Sequence, residues 1–241
     1  MGLGKRNLKM GVAGGKKSAL LLVGASGGLG SALLEYLSSR ASLVCIPTYN
    51  SNLPTTDHFS WIQYNSNDFD STKVMFEEVT NEYDISLVID ATGTFFASRL
   101  KNSSLSEIGK VISTNLTAPL ILAKSAQEFM PDGGKIIFMS SIVSTMQLVG
   151  SSIYAASKAG LERGILSLSS EFSQSGHGIC GIRLGYMDYG MTYKINERVR
   201  QEILEELPEE KFIDIRVLGD KILQILNSQS SEINGMIYEI K

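Results

Sequence analysis

Residues 19–30 read Ala19-Leu20-Leu21-Leu22-Val23-Gly24-Ala25-Ser26-Gly27-Gly28-Leu29-Gly30, an apolar run that ends in a cluster of glycines. Five apolar residues without alternation predict a short strand buried on both faces. The glycines predict a tight strand-to-helix turn, because such a turn needs backbone angles that a residue with a Cβ resists. A turn of this kind brings the backbone close to a pyrophosphate and aims the free N–H groups of a helix N-terminus at it. Its place, after the first apolar strand and before a helical stretch over 33–37 that ends near Arg40, points to a nucleotide cofactor.

The same alternation continues along the chain. Strands are expected over 43–46 (closed by Pro47), 61–64, 87–89, 135–139, 179–184 and 236–240. Helices are expected around Val74, Phe76 and Val79, over 108–129, over 152–172 and over 217–226. Pro131-Asp132-Gly133-Gly134 marks a turn between the second of these helices and the strand that follows it. About seven strands separated by helices, with no tandem hairpins, predict an α/β fold. Its form would be a doubly wound, mostly parallel seven-stranded sheet with helices on both faces, the Rossmann fold. No repeat or linker divides residues 18–241, which read as a single dinucleotide-binding catalytic domain.

Composition narrows the function classes. Of 241 residues, 43% are hydrophobic and 20% charged, an ordinary globular balance that excludes general disorder. A formal charge of −3 gives no global attraction for nucleic acid or an anionic membrane. No apolar run approaches the roughly 18–20 residues of a membrane span. Cys45 and Cys180 lie in apolar, strand-like runs and read as reduced core thiols, so the expected compartment is the cytoplasm. Residues 1–17 carry five glycines and five basic residues and read as a flexible basic arm. They lack the apolar stretch of a secretory signal, and Arg6 stands where a myristoylation motif wants Ser or Thr. His58 and His177 are isolated from other ligand types, so no metal is expected.

The candidate chemistry lies further along. Tyr154-Ala155-Ala156-Ser157-Lys158 places a phenol and an ammonium four residues apart, on one face of a helix. A phenol with a pKa of about 10 is a poor acid–base catalyst near neutrality. A neighbouring cation, aided by an oxidised nicotinamide, favours the phenolate. Ser141 closes the strand at 135–139 and faces the crevice where doubly wound sheets bind ligands. Asn115, in the long apolar helix, is a poor helix former there.

Asn115, Ser141, Tyr154 and Lys158 match in type, order and approximate spacing the catalytic tetrad of the short-chain dehydrogenase/reductase family. The glycine spacing Gly24, Gly28, Gly30 resembles the GxxxGxG turn of its compact single-domain branch, to which the 3-oxoacyl-carrier-protein reductases belong. The resemblance covers residues 18–240. It implies an oxidoreductase that moves a hydride between a nicotinamide cofactor and a ketone or secondary alcohol, in the reductive direction. Tyr154 would be the general acid or base, and Lys158 would lower its pKa and hold the nicotinamide ribose. Ser141 would bind the reacting oxygen, and Asn115 would anchor a water leading from Lys158 to solvent. Cofactor contacts are implied at Gly24, Ser26, Gly27, Gly28, Leu29 and Gly30, at Thr48, Tyr49, Asn50 and Ser51, and at Asn65. Others are implied at Ala91, Thr92, Gly93, Tyr154, Lys158, Gly185 and Met187.

The chain departs from the family in several places. The usual Thr before the first glycine is Val23, and Asn-Asn-Ala-Gly becomes Asp90-Ala91-Thr92-Gly93. The usual Pro-Gly becomes Leu184-Gly185, Tyr189 stands where many members have Thr, and Glu239-Ile240-Lys241 replaces a Gly-Gly ending. The second strand ends Pro47-Thr48-Tyr49-Asn50-Ser51, with no acid to hold ribose hydroxyls and repel a 2′-phosphate. No Arg stands there either. Thr48, Asn50 and Ser51 can donate to a phosphate, so NADP(H) is favoured and NAD(H) stays open.

Loops beyond the fourth, fifth and sixth strands supply Phe95, Phe96, Val143, Met146, Leu148, Tyr186 and Met187 to the expected pocket. They point to a small carbonyl or alcohol substrate with an apolar portion. Ile195, Val199, Ile203 and Leu207 form a helical stripe that would cover it, with Glu197, Arg198, Arg200, Glu202 and Glu206 on a solvated outer face. Small residues on the Tyr154 helix, from Ala155 to Gly164, suit close helix packing, and relatives assemble through this helix and the one bearing Asn115. A homodimer or homotetramer is therefore expected. The alternative is a cofactor-binding regulator or scaffold that keeps the fold without turnover.

Overall fold

The computed structural model describes residues 15–55, 58–190, 196–207 and 211–241. Residues 1–14 of the basic arm, and Ile195 of the covering stripe, lie outside the described residues.

Among the described residues the apolar runs form seven strands: β1 (Lys17–Val23), β2 (Val44–Tyr49), β3 (Ile62–Gln63), β4 (Tyr83–Asp90), β5 (Lys135–Ser141), β6 (Gly178–Leu184) and β7 (Ile237–Ile240). They make one sheet in the order β3-β2-β1-β4-β5-β6-β7, parallel at every pairing. The helices are α1 (Gly28–Ser38), α2 (Phe69–Glu82), α3 (Leu105–Ile112), α4 (Ala118–Phe129), α5 (Ser152–Gln174), α6 (Glu197–Glu206), α7 (Ile215–Asn227) and α8 (Ser230–Ile233).

Strand β1 explains why the sheet is covered on both sides. Ala19, Leu21 and Val23 pack into one core with Met75, Phe76 and Val79 of α2, Leu122 and Ala126 of α4, and Leu161 and Ile165 of α5. Leu20 and Leu22 face the opposite core, with Leu33, Leu34 and Leu37 of α1 and Leu218, Ile222 and Ile225 of α7. Burying a Leu side chain is worth about 2 kcal/mol. A one-residue slip of β1 would exchange every side chain between two differently shaped cores, so its register is strongly specified. Cys45 and Cys180 are buried free thiols, and burial pushes them up to about 11 and about 12.

The boundaries differ from the sequence reading where tertiary pairing extends an element. Strand β4 starts at Tyr83, because Lys17, Ser18 and Ala19 pair with Tyr83, Asp84 and Ile85. Strand β2 runs through Pro47 to Tyr49, while β3 shrinks to the two residues paired with Thr48 and Tyr49. The helix expected over 108–129 is two helices joined by a π-helical turn, Ser113–Thr117. Pro119 has no N–H to give the carbonyl four residues back, that of Asn115, so a regular α ladder cannot run through Asn115 unbroken.

The strand order reverses between β1 and β4. At their carboxyl ends a doubly wound sheet leaves a crevice. The glycine turn after β1, the Asp90 loop after β4 and Ser141 all sit at that edge.

Candidate active site

The glycine turn is built as its residues require. Gly24 has φ +80°, and a Cβ there would lie 2.9 Å from Thr92 Cγ2. A Cβ on Gly30 would come within 2.2 Å of the Gly24 carbonyl oxygen, and one on Gly28 within 2.5 Å of Gly190 Cα. Gly27 occupies the N-cap of α1 without a side-chain cap, and no acid stands in the first turn. The positive end of α1 therefore has no internal counter-charge. A bare helix N-terminus behind glycines whose Cβ space is already filled fits a pyrophosphate.

Thr48 Oγ1 accepts a 3.0 Å hydrogen bond from Gly24 N, and Ser26 N donates to the Thr48 carbonyl at 3.3 Å. Thr48 is 1% exposed. Its side chain braces the turn, which corrects its reading as an open phosphate donor. Tyr49 is half-buried, edge-on to Trp61, whereas Asn50 and Ser51 are exposed at the end of β2. Asn65 is exposed too, and its side chain accepts from Asn67 N at 3.0 Å.

A cleft of about 1150 Å³ opens beside the turn. Gly27, Gly28, Leu29, Ala91, Thr92, Gly93, Ser141, Tyr154, Lys158, Gly185 and Met187 all line it. Phe95, Val143, Leu148 and Tyr186 also reach it, together with Val199 and Ile203 of α6. Phe96 and Met146, expected beside them, are not among its lining residues. Gly24, Ser26, Gly30, Thr48, Tyr49, Asn50, Ser51, Asn65 and Asn115 also lie outside the lining.

Tyr154 and Lys158 stand one turn apart near the start of α5, 7% and 3% exposed. The Phe95 ring meets Tyr154 edge-on, with centroids 5.1 Å apart and planes at 79°. Burial raises the Tyr154 phenol above its ordinary value; hydrogen bonding with Ser141 opposes this, and Tyr186 adds to it. Lys158 Nζ donates to the Met139 carbonyl at 2.8 Å. Burial pulls its ammonium down to about 8, against the charges of Asp90 and Glu162.

Asn115 is fully buried, so its side chain does not face solvent. Its Oδ1 accepts from Thr94 N at 2.8 Å. Its Nδ2 donates to the Thr94 carbonyl at 2.8 Å and to Ser157 Oγ at 3.2 Å. Asn115 thus clamps the backbone that carries Phe95 to the helix that carries Tyr154.

Three contributors were missed in the sequence. Asp90 is buried at the end of β4 and accepts from Thr92 N at 2.9 Å and Thr92 Oγ1 at 2.6 Å. Burial pushes its carboxyl up, against those hydrogen bonds and the Lys158 charge. Glu162 follows Lys158 by one turn on the buried face of α5, a spacing that the helical period could have revealed. Arg200 is not on a solvated face: it donates to Asp188 Oδ1 at 2.5 Å, and its guanidinium lies over the Phe212 ring at 4.9 Å. Glu197, Arg198 and Glu202 are exposed as expected, and the Glu206 side chain lies outside the described part.

Comparison with known proteins places this geometry in a family. The family model described as short chain dehydrogenase matches residues 18–200. The chain is 32% identical over 232 residues to the 3-oxoacyl-acyl-carrier-protein reductase FabG of Rickettsia typhi, covering 89% of this chain and 94% of the relative. It is 25% identical to the Vibrio cholerae enzyme of the same name, with 89% and 92% covered. Among solved structures, a short-chain dehydrogenase/reductase from Serratia marcescens superposes with a TM-score of 0.83 at 18% identity, covering 93% of this chain and 96% of that one. A dehydrogenase/reductase from Sinorhizobium meliloti gives 0.82 at 18% identity, with 93% of each covered. At that identity the structures speak to the fold alone.

Proposed function

The chain belongs to the short chain dehydrogenase family, an oxidoreductase family that uses a nicotinamide cofactor, and on that premise we propose that it is a ketoreductase acting on 3-oxoacyl compounds. The carrying observation is that Ser141, Tyr154 and Lys158 line the same cleft as the glycine turn. The relatives' names supply the substrate class, and Phe95, Val143, Leu148, Val199 and Ile203 supply apolar walls for an acyl chain.

The cofactor's phosphates would lie on the backbone of Gly27, Gly28 and Leu29, with Lys158 holding the ribose. When bound, the nicotinamide supplies the hydride. Tyr154 gives its phenolic proton to the substrate carbonyl oxygen, and Ser141 donates a hydrogen bond to the same oxygen. The Lys158 ammonium favours the phenolate left behind. Asn115 fixes the Thr94–Phe95 backbone against α5, which keeps the wall of the cleft in place around Tyr154. The same reading includes a cytoplasmic enzyme, catalysis by residues 18–241 as one domain, and a homo-oligomer formed through α4 and α5.

NADP(H) is the preferred cofactor in this reading, because Tyr49 ends β2 and Asn50 and Ser51 follow it without a carboxylate to repel a 2′-phosphate. Fluorescence titration with NADPH and NADH tests it. NADPH is expected to bind at least about tenfold more tightly. A preference for NADH would reverse the cofactor assignment, and binding of neither would leave a scaffold without turnover.

A further inference from the structure

Behind the cleft lies a polar cluster that the proposed reaction does not use. Glu162 is 8% exposed and sits one turn beyond Lys158 on α5. Its Oε1 accepts from Ser140 Oγ at 2.7 Å, from Ser144 Oγ at 2.8 Å and from Arg183 Nε at 3.0 Å. Its Oε2 accepts from Arg183 Nη2 at 2.7 Å. Arg183, on β6, also gives Nη1 to Glu239 of β7 at 2.9 Å, and Lys241 pairs with the same carboxylate.

Ser140 and Ser144 bracket Ser141. The first lies in β5 and the second in the 3₁₀ turn that follows, so one carboxylate grips the segment on both sides of that hydroxyl. Reaching it from α5 couples the strand end to the helix that carries Tyr154 and Lys158. We propose that Glu162, held by Arg183, is a positioning residue that sets Ser141 against Tyr154 and holds a negative charge one turn from the Lys158 ammonium. This rests on the ketoreductase reading of the cleft.

A buried carboxylate held only to fill space would be poorly chosen, since an unpaired one is strongly disfavoured there. Four hydrogen bonds, two of them from the Arg183 guanidinium, keep this one ionised, with Arg183 and the two serines holding its carboxyl below the ordinary range despite burial. The other charged groups around Lys158 and Glu162 are Asp90 on β4, Arg183 on β6 and Glu239 on β7, with Lys241 beyond it. The Tyr154 phenol shares the face of α5. Removing the Glu162 charge takes away one of the two carboxylates, Asp90 and Glu162, that favour the Lys158 ammonium.

The test uses the full chain with ¹³C-labelled lysine, the Lys158 signal being assigned with Lys158→Arg, and turnover of acetoacetyl-CoA with NADPH. In Glu162→Gln the Lys158 titration is expected to fall by about one unit. Its kcat should drop about tenfold to a hundredfold with KM little changed. Ser144→Ala, which keeps the charge and loses one anchor, should lower kcat and leave the lysine titration in place; it also serves if Glu162→Gln does not fold. A Glu162→Gln protein whose melting temperature falls while the lysine titration and kcat stay at wild-type values would overturn the proposal, as would full activity in Ser144→Ala. The lysine titration needs neither substrate nor cofactor, so it decides the electrostatic part alone. Turnover that survives Tyr154→Phe would instead overturn the underlying reading of the cleft.

Discussion

Lys158 Nζ is bonded to the Met139 carbonyl at 2.8 Å, two residues before Ser141 on the same strand. The ammonium is therefore fastened to the strand that presents the serine, and the helix that presents the phenol carries it there. A lysine in this position is electrostatically expensive. At 3% exposure, burial brings its titration from an ordinary 10.5 down to about 8.

That depression makes a stability prediction. Below about pH 8 the folded and unfolded chains both hold the Lys158 proton, and the folded state bears the full penalty of a buried cation. Between about 8 and 10.5 the folded chain releases the proton while the unfolded chain keeps it, so stability from this group rises with pH. Lys158→Met should stabilise the protein at pH 7 by about 2 kcal/mol, after loss of the Met139 hydrogen bond is counted. It should also flatten that rise and abolish turnover. Urea unfolding of both proteins across the alkaline range measures it; equal stability at pH 7 would mean that the ammonium is solvated.

Gly30→Ala should be damaging, because Gly30 is buried in the first turn of α1. The added methyl would meet the Gly24 carbonyl oxygen at 2.2 Å and Ala25 Cα at 2.8 Å, both backbone. A loss of about 2–3 kcal/mol is expected, with cofactor binding lost at temperatures where the fold survives. Thermal unfolding with and without NADPH reads both effects. A variant that unfolds at the wild-type temperature and still gains stability from NADPH would contradict the close packing of the turn.

Helix α6 is fastened beside the cleft by Arg200, which reaches Asp188 and Phe212, while Val199 and Ile203 line the cleft. Arg200→Ala should raise KM several-fold, about 1 kcal/mol of lost binding, with a smaller change in kcat. The loss should grow with acyl-chain length, since the apolar side chains are what the helix brings to the substrate. Kinetics with acetoacetyl and longer 3-oxoacyl thioesters measures this; a loss independent of chain length would place the substrate away from α6.

The residues 19–30 and the Tyr154–Lys158 pair were legible because each rests on local physics: an unbroken apolar run, glycines at a turn, and a four-residue helical spacing. What escaped depends on partners distant in the chain. Asn115 sits in a π turn because Pro119 interrupts the ladder, and its bonds go to Thr94 and Ser157. Thr48 lies near the end of a strand, yet it is covered by the turn it braces. Arg200 falls beside the apolar stripe of α6, and only the loop after β6, which delivers Asp188, turns it inward. Phe96 and Met146 come from loops, where no periodicity tells which side chain faces the cleft.

In the proposed ketoreductase, Tyr154 is the proton donor in a carbonyl reduction. The most direct measurement is the rate of NADPH oxidation with acetoacetyl-CoA by the wild-type protein and by Tyr154→Phe, each first shown to bind NADPH equally. Loss of a positioned general acid should lower kcat by about 10²–10⁴-fold with NADPH affinity unchanged. A Tyr154→Phe protein that turns over at the wild-type rate would contradict the account.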